Sequence, residues 1–488
     1  MIELQVRIHD KFSLELKIGY HVSGESGDGL DEFAVNTWIF VPNSLDINAQ
    51  TYSKGQFYRD LKTNVRLITP VFLIREIAGG DAVPLRNLES AFCKMVASPV
   101  KAEIAEYEYQ IKMFMAIFKS AGRNETNHIA ACEDDSDAAG MCSRYLDDVK
   151  EITHAYRELR HIINVPTVPA EARDYFAFGD EFMSRQTGFH CFRLYENLAS
   201  RDSAECRKLL PKIKKFILAE TDYRRRKGFP VTETDSPTRN RDVIFRHGVL
   251  KRYIESDLFL SARVKRDGVA MEQVYLSIAA GVSMIFATII AFSFQQKYGN
   301  FTMPLFVALV VSYMLKDRIK ELMRYWFAYK LKAKYFDNRI YVGMKEDRIG
   351  TIREGFDFIT DDKVPSRVME IRSRSSLMQA ENRFDDEKII LLRRMVHIDG
   401  HMLNGNDQYS IAGVNEIIRL HLIHFTQKMD NPETPLNTMS EDGVVGTVYG
   451  EKVYYLNFVM QIQHREQKDY RRFRLVLNRE GILNIEHL

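Results

Sequence analysis

A multidomain α+β fold carrying a membrane anchor is the class the sequence predicts. Three features lead there: an uncharged apolar run near the middle of the chain, helical periodicity before it, and two-residue alternation at the start of the chain and after the run. With 488 residues the chain is long enough for about three domains. Its 45% hydrophobic and 11% aromatic content supplies several packed cores, which excludes wholesale disorder. The formal net charge of +2 excludes nothing, because blocks of opposite sign cancel in the sum. Cys93, Cys132, Cys142, Cys191 and Cys206 form an odd set without metal-type pairing, and all precede the apolar run. They suit a reducing compartment rather than a disulfide framework.

Residues 1–80 read as a small α+β unit. LQVRIHD and FSLELKIGYHV alternate apolar and polar positions, and AVNTWIFVP is rich in β-formers and ends at Pro42. The turn cluster SGESGDG separates the last two, and KGQFYRDLKTNVRLI predicts a short helix and a connector. The opening residues hold no apolar run of signal-peptide length, so this unit is expected to stay unexported. Residues 83–266 read as a helical cytosolic domain. ESAFCKMVAS, KAEIAEYEYQIKMFMAIFKSA and SRYLDDVKEITHAYRELRHII place apolar residues at three- and four-residue steps. RNETNHIAACEDDSDAAG is expected as an acidic loop between them. Further helices are predicted from Glu171 to Leu198, Ser203 to Arg226 and Arg241 to Val264, the last leading almost directly into the membrane.

Residues 272–316 predict a transmembrane helical hairpin with spans at about 274–294 and 299–315. Val274 to Phe294 contains no charge, and the second run, Phe301 to Leu315, is shorter. The polar turn QQKYGN and Pro304 at the start of the second run support a helical return. Ala279, Ser283, Ala287 and Ala291 recur every four residues on the first helix, as do Pro304, Ala308 and Ser312 on the second. Small side chains at this spacing let helix backbones approach in lipid, so the stripes are expected to face each other. Cations flank the pair: Arg263, Lys265 and Arg266 before it, and Lys316, Arg318, Lys320, Arg324, Lys330, Lys332 and Lys334 after it, against Lys297 alone in the turn. The bias of cations toward the inside predicts a two-pass protein of the cell's inner (plasma) membrane with both termini cytoplasmic.

Residues 316–336 predict a basic, aromatic juxtamembrane helix, with Tyr325, Trp326, Phe327 and Tyr329 among its cations, a composition favoured at the lipid headgroups. Residues 338–488 predict a mainly antiparallel β domain. RIYVGM, FDFIT, IILLRRMVHI, NEIIRLHLIHFTQ, KVYYLNFVMQIQ and YRRFRLVLN are its strands, and RLVLN–REG–ILNIEHL is a hairpin.

Among candidate sites the sharpest is basic. Lys212, Lys214 and Lys215 precede Arg224, Arg225, Arg226 and Lys227 on one helix and its exit. Anionic lipid headgroups, a phosphorylated ligand or nucleic acid would suit such a cluster. Each cation near an anionic leaflet contributes about 1 kcal/mol, and the apolar run nearby favours lipid over nucleic acid. A solvated helix end is the plainer alternative. Gly24, Gly27 and Gly29 follow a strand but lack the spacing and the lysine of a phosphate loop. Glu151, His154, Glu158 and His161 share a helix face at ligand spacing, without a matching second helix. His190 and Cys191 are adjacent, which points a thiol and an imidazole in different directions. Glu133, Asp134, Asp135 and Asp137 read as a solvated acidic loop, and Asp385, Asp386 and Glu387 before Lys388 lack nuclease spacing.

No catalytic residue, metal site or cofactor is assigned on this basis. Spans without ionisable groups disfavour a transporter or proton relay. The expectation is a membrane-anchored sensor or scaffold that binds a cytosolic protein or ligand and is able to form homo-oligomers. An oligomeric pore-forming effector triggered by its soluble domains, and a membrane-tethered hydrolase or nuclease with a dispersed site, are the alternatives.

Overall fold

Strands from opposite ends of the chain pair with one another, and this interleaving sets the architecture. The computed structural model describes residues 2–22, 30–79, 83–299, 302–332, 336–344, 347–375, 377, 387–404 and 409–488. The fold is mixed α and β with antiparallel sheets, and the chain divides into two compact units. One unit comprises Met1–Val65, Leu260–Gly405 and Gly413–Leu488, the other Arg66–Phe259 and Asn406–Ala412.

The strands of the first unit are β1 (Ile2–Asp10), β2 (Ser13–His21), β3 (Leu30–Val41), β4 (Leu61–Leu67), β5 (Ser261–Arg266), β6 (Asn338–Met344) and β7 (Asp347–Ile359). They continue as β8 (Lys388–Asp399), β9 (Gly413–His421), β10 (Glu433–Met439), β11 (Val445–Glu451), β12 (Tyr454–His464), β13 (Gln467–Asn478) and β14 (Gly481–His487). One sheet has the order β1-β2-β9-β4, and a larger one the order β14-β13-β12-β3-β8-β7-β6-β5. Among the described residues β10 and β11 pair only with each other. Residues 1–80 therefore do not stand as a unit of their own. β3 lies between β8 and β12, with Trp38 opposite Leu391 on one side and Val459 on the other, and β2 pairs with β9. Alternation along a strand fixes which face is buried, and it is silent about which remote strand lies alongside. The expected connector after the first short helix is strand β4, and the expected β13–β14 hairpin forms with Asn478 opposite Gly481.

The two sheets meet at Tyr20 and Phe33, whose ring centroids are 5.2 Å apart. A charged group lies in the same core. Arg394 of β8 is 1% exposed and its Nη2 reaches Glu416 of β9 and Glu354 of β7, the latter at 3.3 Å. Tyr20 Oη donates to Glu416 Oε2 at 2.9 Å. Burial works against the Arg394 charge, and the two carboxylates more than offset it.

The second unit is helical: α2 (Ile74–Ala78), α3 (Val83–Ala97), α4 (Lys101–Ala131), α5 (Asp135–Glu158), α6 (Arg160–Ile163), α7 (Ala170–Ala199), α8 (Ala204–Lys227) and α9 (Pro237–Ile254). α1 (Lys54–Asp60) belongs to the first unit. α4 is buried on every side from Gln110 to Phe118, as a central helix must be, and Tyr156 stacks on Phe176 at 4.8 Å beside it. Gly179 is required there, since a Cβ would lie 2.3 Å from the Tyr156 hydroxyl. Three expectations change. The acidic loop shrinks to Cys132–Asp134, because Thr126 and Ile129 carry the buried face of α4 onward, and the Asp134 side chain accepts from Asp137 N at 2.9 Å to cap α5. The helix expected through Val264 stops at Ile254, because Ser261–Arg266 is taken into the sheet by β6. Tyr409, from near the far end of the chain, joins this unit, donating to Gln110 Oε1 at 2.7 Å.

Removing the Glu416 carboxylate leaves the Arg394 guanidinium buried and under-compensated. Glu416→Ala should therefore destabilise the sheet unit by about 3–5 kcal/mol. Urea unfolding of the solubilised chain, followed through buried Trp38, measures this, and Arg394→Met combined with Glu416→Leu should recover most of the loss.

Candidate membrane-facing surface

Two helices of equal length leave the eight-stranded sheet and return to it. α10 (Val269–Tyr298) and α11 (Met303–Lys332) have 30 residues each, or about 45 Å. Among the described residues α10 is the one helix long and apolar enough to cross a membrane. α11 does not meet that standard, because Lys316, Asp317, Arg318 and Lys320 follow its apolar stretch too soon. Ala279, Ser283, Ala308 and Ser312 are the buried side chains of the pair, with Ala287 and Ala291 half-buried and Pro304 exposed. Ser312 Oγ donates to the Ala287 carbonyl at 3.3 Å. Outward-facing side chains are large and apolar, among them Ile285, Ile289, Phe292, Phe306 and Met314. A continuous apolar surface of this kind marks contact with lipid or another protein.

The serine bond also fixes the register of the pair. Helices running in opposite directions advance turn for turn, so Lys316 lies level with Ser283 and Lys320 with Ala279. Both lysines are half-buried along the seam, and Lys316 Nζ sits 3.9 Å from the centroid of the Tyr313 ring. The apolar slab shared by both helices is about 15 residues, or ~22 Å, deep. Past it, Arg318 is exposed, Arg324 pairs with Glu321 at 3.0 Å, and Tyr325 and Trp326 point outward. The side chains of Phe327, Tyr329, Lys330 and Lys332, and all of Lys334, lie outside the described residues.

At the base of the pair β5 and β6 run antiparallel, with Arg266 opposite Asn338. Asp267 N donates to the Asp337 carbonyl at 3.0 Å. The Asp337 carboxylate in turn accepts from Lys54 Nζ (2.7 Å), Tyr58 Oη (2.9 Å) and Phe356 N (2.8 Å). Both feet of the hairpin are thus clamped side by side on one sheet.

The basic cluster of α8 divides in two. Arg224 does not belong to the surface. It shares a buried stripe with Ile213, Ile217 and Glu220, and its Nη1 donates to the Ser184 carbonyl of α7 at 2.9 Å over Gly188. The four-residue step from Glu220 puts it on the core face, which a run of three arginines conceals. Lys212 is tied to Asp147 and Ser143 of α5, and Arg225 to Asp222 at 3.2 Å. Lys214 and Lys215 line a shallow groove with Leu218 and Asp222, and Arg226 and Lys227 are exposed at the helix exit. One surface has no counterpart in the sequence expectations: α9 exposes Ile244, Phe245 and Val249 beside Arg241, Lys251 and Arg252. The signal was present as apolar residues interleaved with cations in RDVIFRHGVLKR, a mixture favoured at lipid interfaces.

The remaining candidates resolve into structure. His154 and Glu158 are exposed and 3.9 Å apart, and no group of three metal-ligating side chains occurs among the described residues. Asp135 binds Arg201 at 3.0 Å, and Glu387 binds Arg372 and Arg374. Gly24, Gly27, Gly29, Asp385 and Asp386 lie outside the described residues. Burial pushes the Cys191 thiol up and the His190 imidazole down to about 4, helped by Arg193, Arg123 and Lys119, so neither carries the charge a thiolate–imidazolium pair requires. Comparison of the chain with protein-family models, curated proteins and solved structures finds no match.

Arg224→Ala should cost the helical unit about 2–4 kcal/mol, seen as a lowered thermal midpoint. Lys214→Ala with Arg226→Ala should leave that midpoint within about 0.5 kcal/mol and weaken only the binding of anionic vesicles. His190 gives a pH signature. Between pH 6.5 and about 4 the unfolded chain takes up a proton that the folded one refuses, so stability is full above pH 6.5 and falls as the pH drops through that window. The loss reaches about 3 kcal/mol, and His190→Gln should remove it from a plot of melting temperature against pH.

Proposed function

We propose that this protein is a membrane-anchored sensor or scaffold: α10 and α11 enter the bilayer as a two-pass hairpin, and the sheet and helical units work on the cytoplasmic side. The observation that carries the reading is the β5–β6 ladder. If α10 leaves the sheet and crosses, α11 must cross back, because Asn338 is hydrogen-bonded beside Arg266. The seam of Ala279, Ser283, Ala308 and Ser312 supports close helix packing in lipid, where small residues and dispersion replace the hydrophobic effect. A slab of ~22 Å is thinner than the ~30 Å hydrocarbon layer. The stems of Lys316 and Lys320 and local thinning of the bilayer make up the difference. Tyr325, Trp326 and Arg324 then fall in the headgroup layer. The cations of α9 and of the α8 exit favour an anionic leaflet, and a cytosolic protein or ligand is the partner that the soluble units would read.

Asp317 and Arg318 favour a second reading. Both are exposed on α11 close to the level of Ser283, where hydrocarbon is costly for charge, and several copies turning them inward would line a water-filled pore. Ion leakage from liposomes holding the purified chain separates this reading from a passive anchor.

Topology is the test of the main proposal. A membrane-impermeant maleimide applied outside intact spheroplasts should label Lys297→Cys above the parent chain, and Lys265→Cys only after permeabilisation. Labelling of Lys297→Cys that also waits for permeabilisation, or release of the chain by alkaline carbonate, would defeat the two-pass anchor.

A further inference from the structure

We propose that the β10–β11 ribbon is an assembly arm that docks on the sheet edges of a second copy of this chain. The ribbon pairs along its whole length, from Glu433 opposite Glu451 to Met439 opposite Val445, and neither strand joins another sheet. Its turn is closed by Gly443 at φ +74 and by Ser440 bonds to both Gly443 and Val444. A lone two-stranded ribbon is marginal in water. This one is also apolar on both faces: Met439, Val445 and Tyr449 lie on one, Leu436 and Val448 on the other, all more than half exposed. Its charges are all negative: Glu433, Glu441, Asp442 and Glu451, with no lysine or arginine between them. Glu433 and Glu451 face each other directly at the base of the ribbon, an unfavourable like-charge pair that one hydrogen bond from Asn478 Nδ2 to Glu451 at 2.7 Å only partly offsets. Four carboxylates with no cation between Glu433 and Glu451, the nearest being Lys452 held by Asp430 at the base, disfavour an anionic leaflet and favour a basic protein surface.

The same unit carries such a surface with matching backbone. β1 is a terminal strand, so among the described residues its outer N–H and C=O groups have no ladder partner. β14 covers β13 only from Phe473 onward, leaving Gln467–Arg471 open on that side. Between these two open edges lies a groove of about 600 Å³ lined by Ile2, Leu4, Val6, Ile462, Arg471 and Phe473. Glu3 also borders it, while β13 brings Lys468, Arg471 and Arg472; Arg471 pairs with Asp469 at 2.9 Å, and Arg474 beyond them is tied to Glu486 of β14. A strand of the ribbon entering there extends a sheet, buries the apolar side chains and meets cations with its carboxylates. Arm and groove are different surfaces, so the contact is head-to-tail and builds rings or rows of copies. It rests on strand edges and not on the membrane reading.

The test is a photo-crosslink between copies. Two full-length versions with different tags are co-expressed, and only one carries a benzophenone amino acid in place of Leu436 or Tyr449. Irradiation should join it to residues 2–6 or 467–473 of the other version, as mapped by mass spectrometry. Lys468→Glu with Arg471→Glu, both exposed and so harmless to the fold, should lower that yield at least fivefold. Glu433→Arg on the ribbon should recover part of it. Capture of those residues only within one chain, capture of a different protein or of lipid, or a yield unchanged by the charge reversal would each overturn the proposal. The topology labelling is read separately, so the anchor and the arm fail independently.

Discussion

The pairing of Ser261–Arg266 with Asn338–Met344 governs the molecule, because two strands some seventy residues apart must be laid edge to edge before the intervening helices have a base. The ladder is reinforced on both sides. Arg339 bonds Asp267 at 2.8 Å, and Asp337 gathers Lys54, Tyr58 and the Phe356 amide. Lys54 and Tyr58 come from α1, close to the N-terminal strands, so the early chain holds the feet of a hairpin formed much later. With the feet fixed, α10 and α11 have equal reach and opposite direction, and their register follows from a single hydroxyl–carbonyl bond. The direction in which α11 returns is a consequence of that ladder.

Inside the two units charge is handled by pairing, and this decides which cations remain for a partner. Arg157 binds Glu220 through both terminal nitrogens at 2.9 Å and Asp180 through Nε at 3.1 Å, and Asp180 also accepts from Arg160 and Tyr223. Glu181 is held by Arg246. Such networks specify how α5, α7, α8 and α9 pack, since a helix turned by one residue would leave a carboxylate buried and unpaired. They also withdraw arginines from the surface. Arg224 is the clear case: its sequence neighbours Arg225 and Arg226 stay exposed, and it alone crosses to α7.

Local pattern was legible in the sequence, and long-range partnership was not. The uncharged run, the period-two strands β8, β12 and β13, the β13–β14 hairpin and the helices α4, α5, α7 and α8 all follow from spacing of apolar side chains within a window of a dozen residues. The small-residue stripe of α10 and α11 was legible for the same reason. What spacing cannot carry is which strand neighbours which: β3 alternates as an edge or a centre strand would, yet it sits mid-sheet between two strands from the far half of the chain. The β10–β11 ribbon was missed because its residues read as turn-rich, although ETPLNTM and VVGTVYG flank an Asp-Gly turn, the usual mark of a hairpin. Arg224 was misplaced because charge density along a chain says nothing about the side of a helix.

The surfaces left without partners argue for the kind of work the molecule does. The cavity between the sheets beside Tyr20 and Glu416 has room for about one water, and burial holds the His190 imidazole and the Cys191 thiol in their neutral forms. Among the described residues, apolar and charged surface is displayed outward with different signs: neutral on α10 and α11, positive on α9 and the α8 exit, negative on the ribbon. Under the proposals made above, these would meet hydrocarbon, anionic headgroups and a basic protein edge, respectively. A chain that pairs its buried charges in this way and still exposes such surfaces fits the proposed anchor, in which a bilayer and other polypeptides would cover them. That is the physical content of proposing a scaffold.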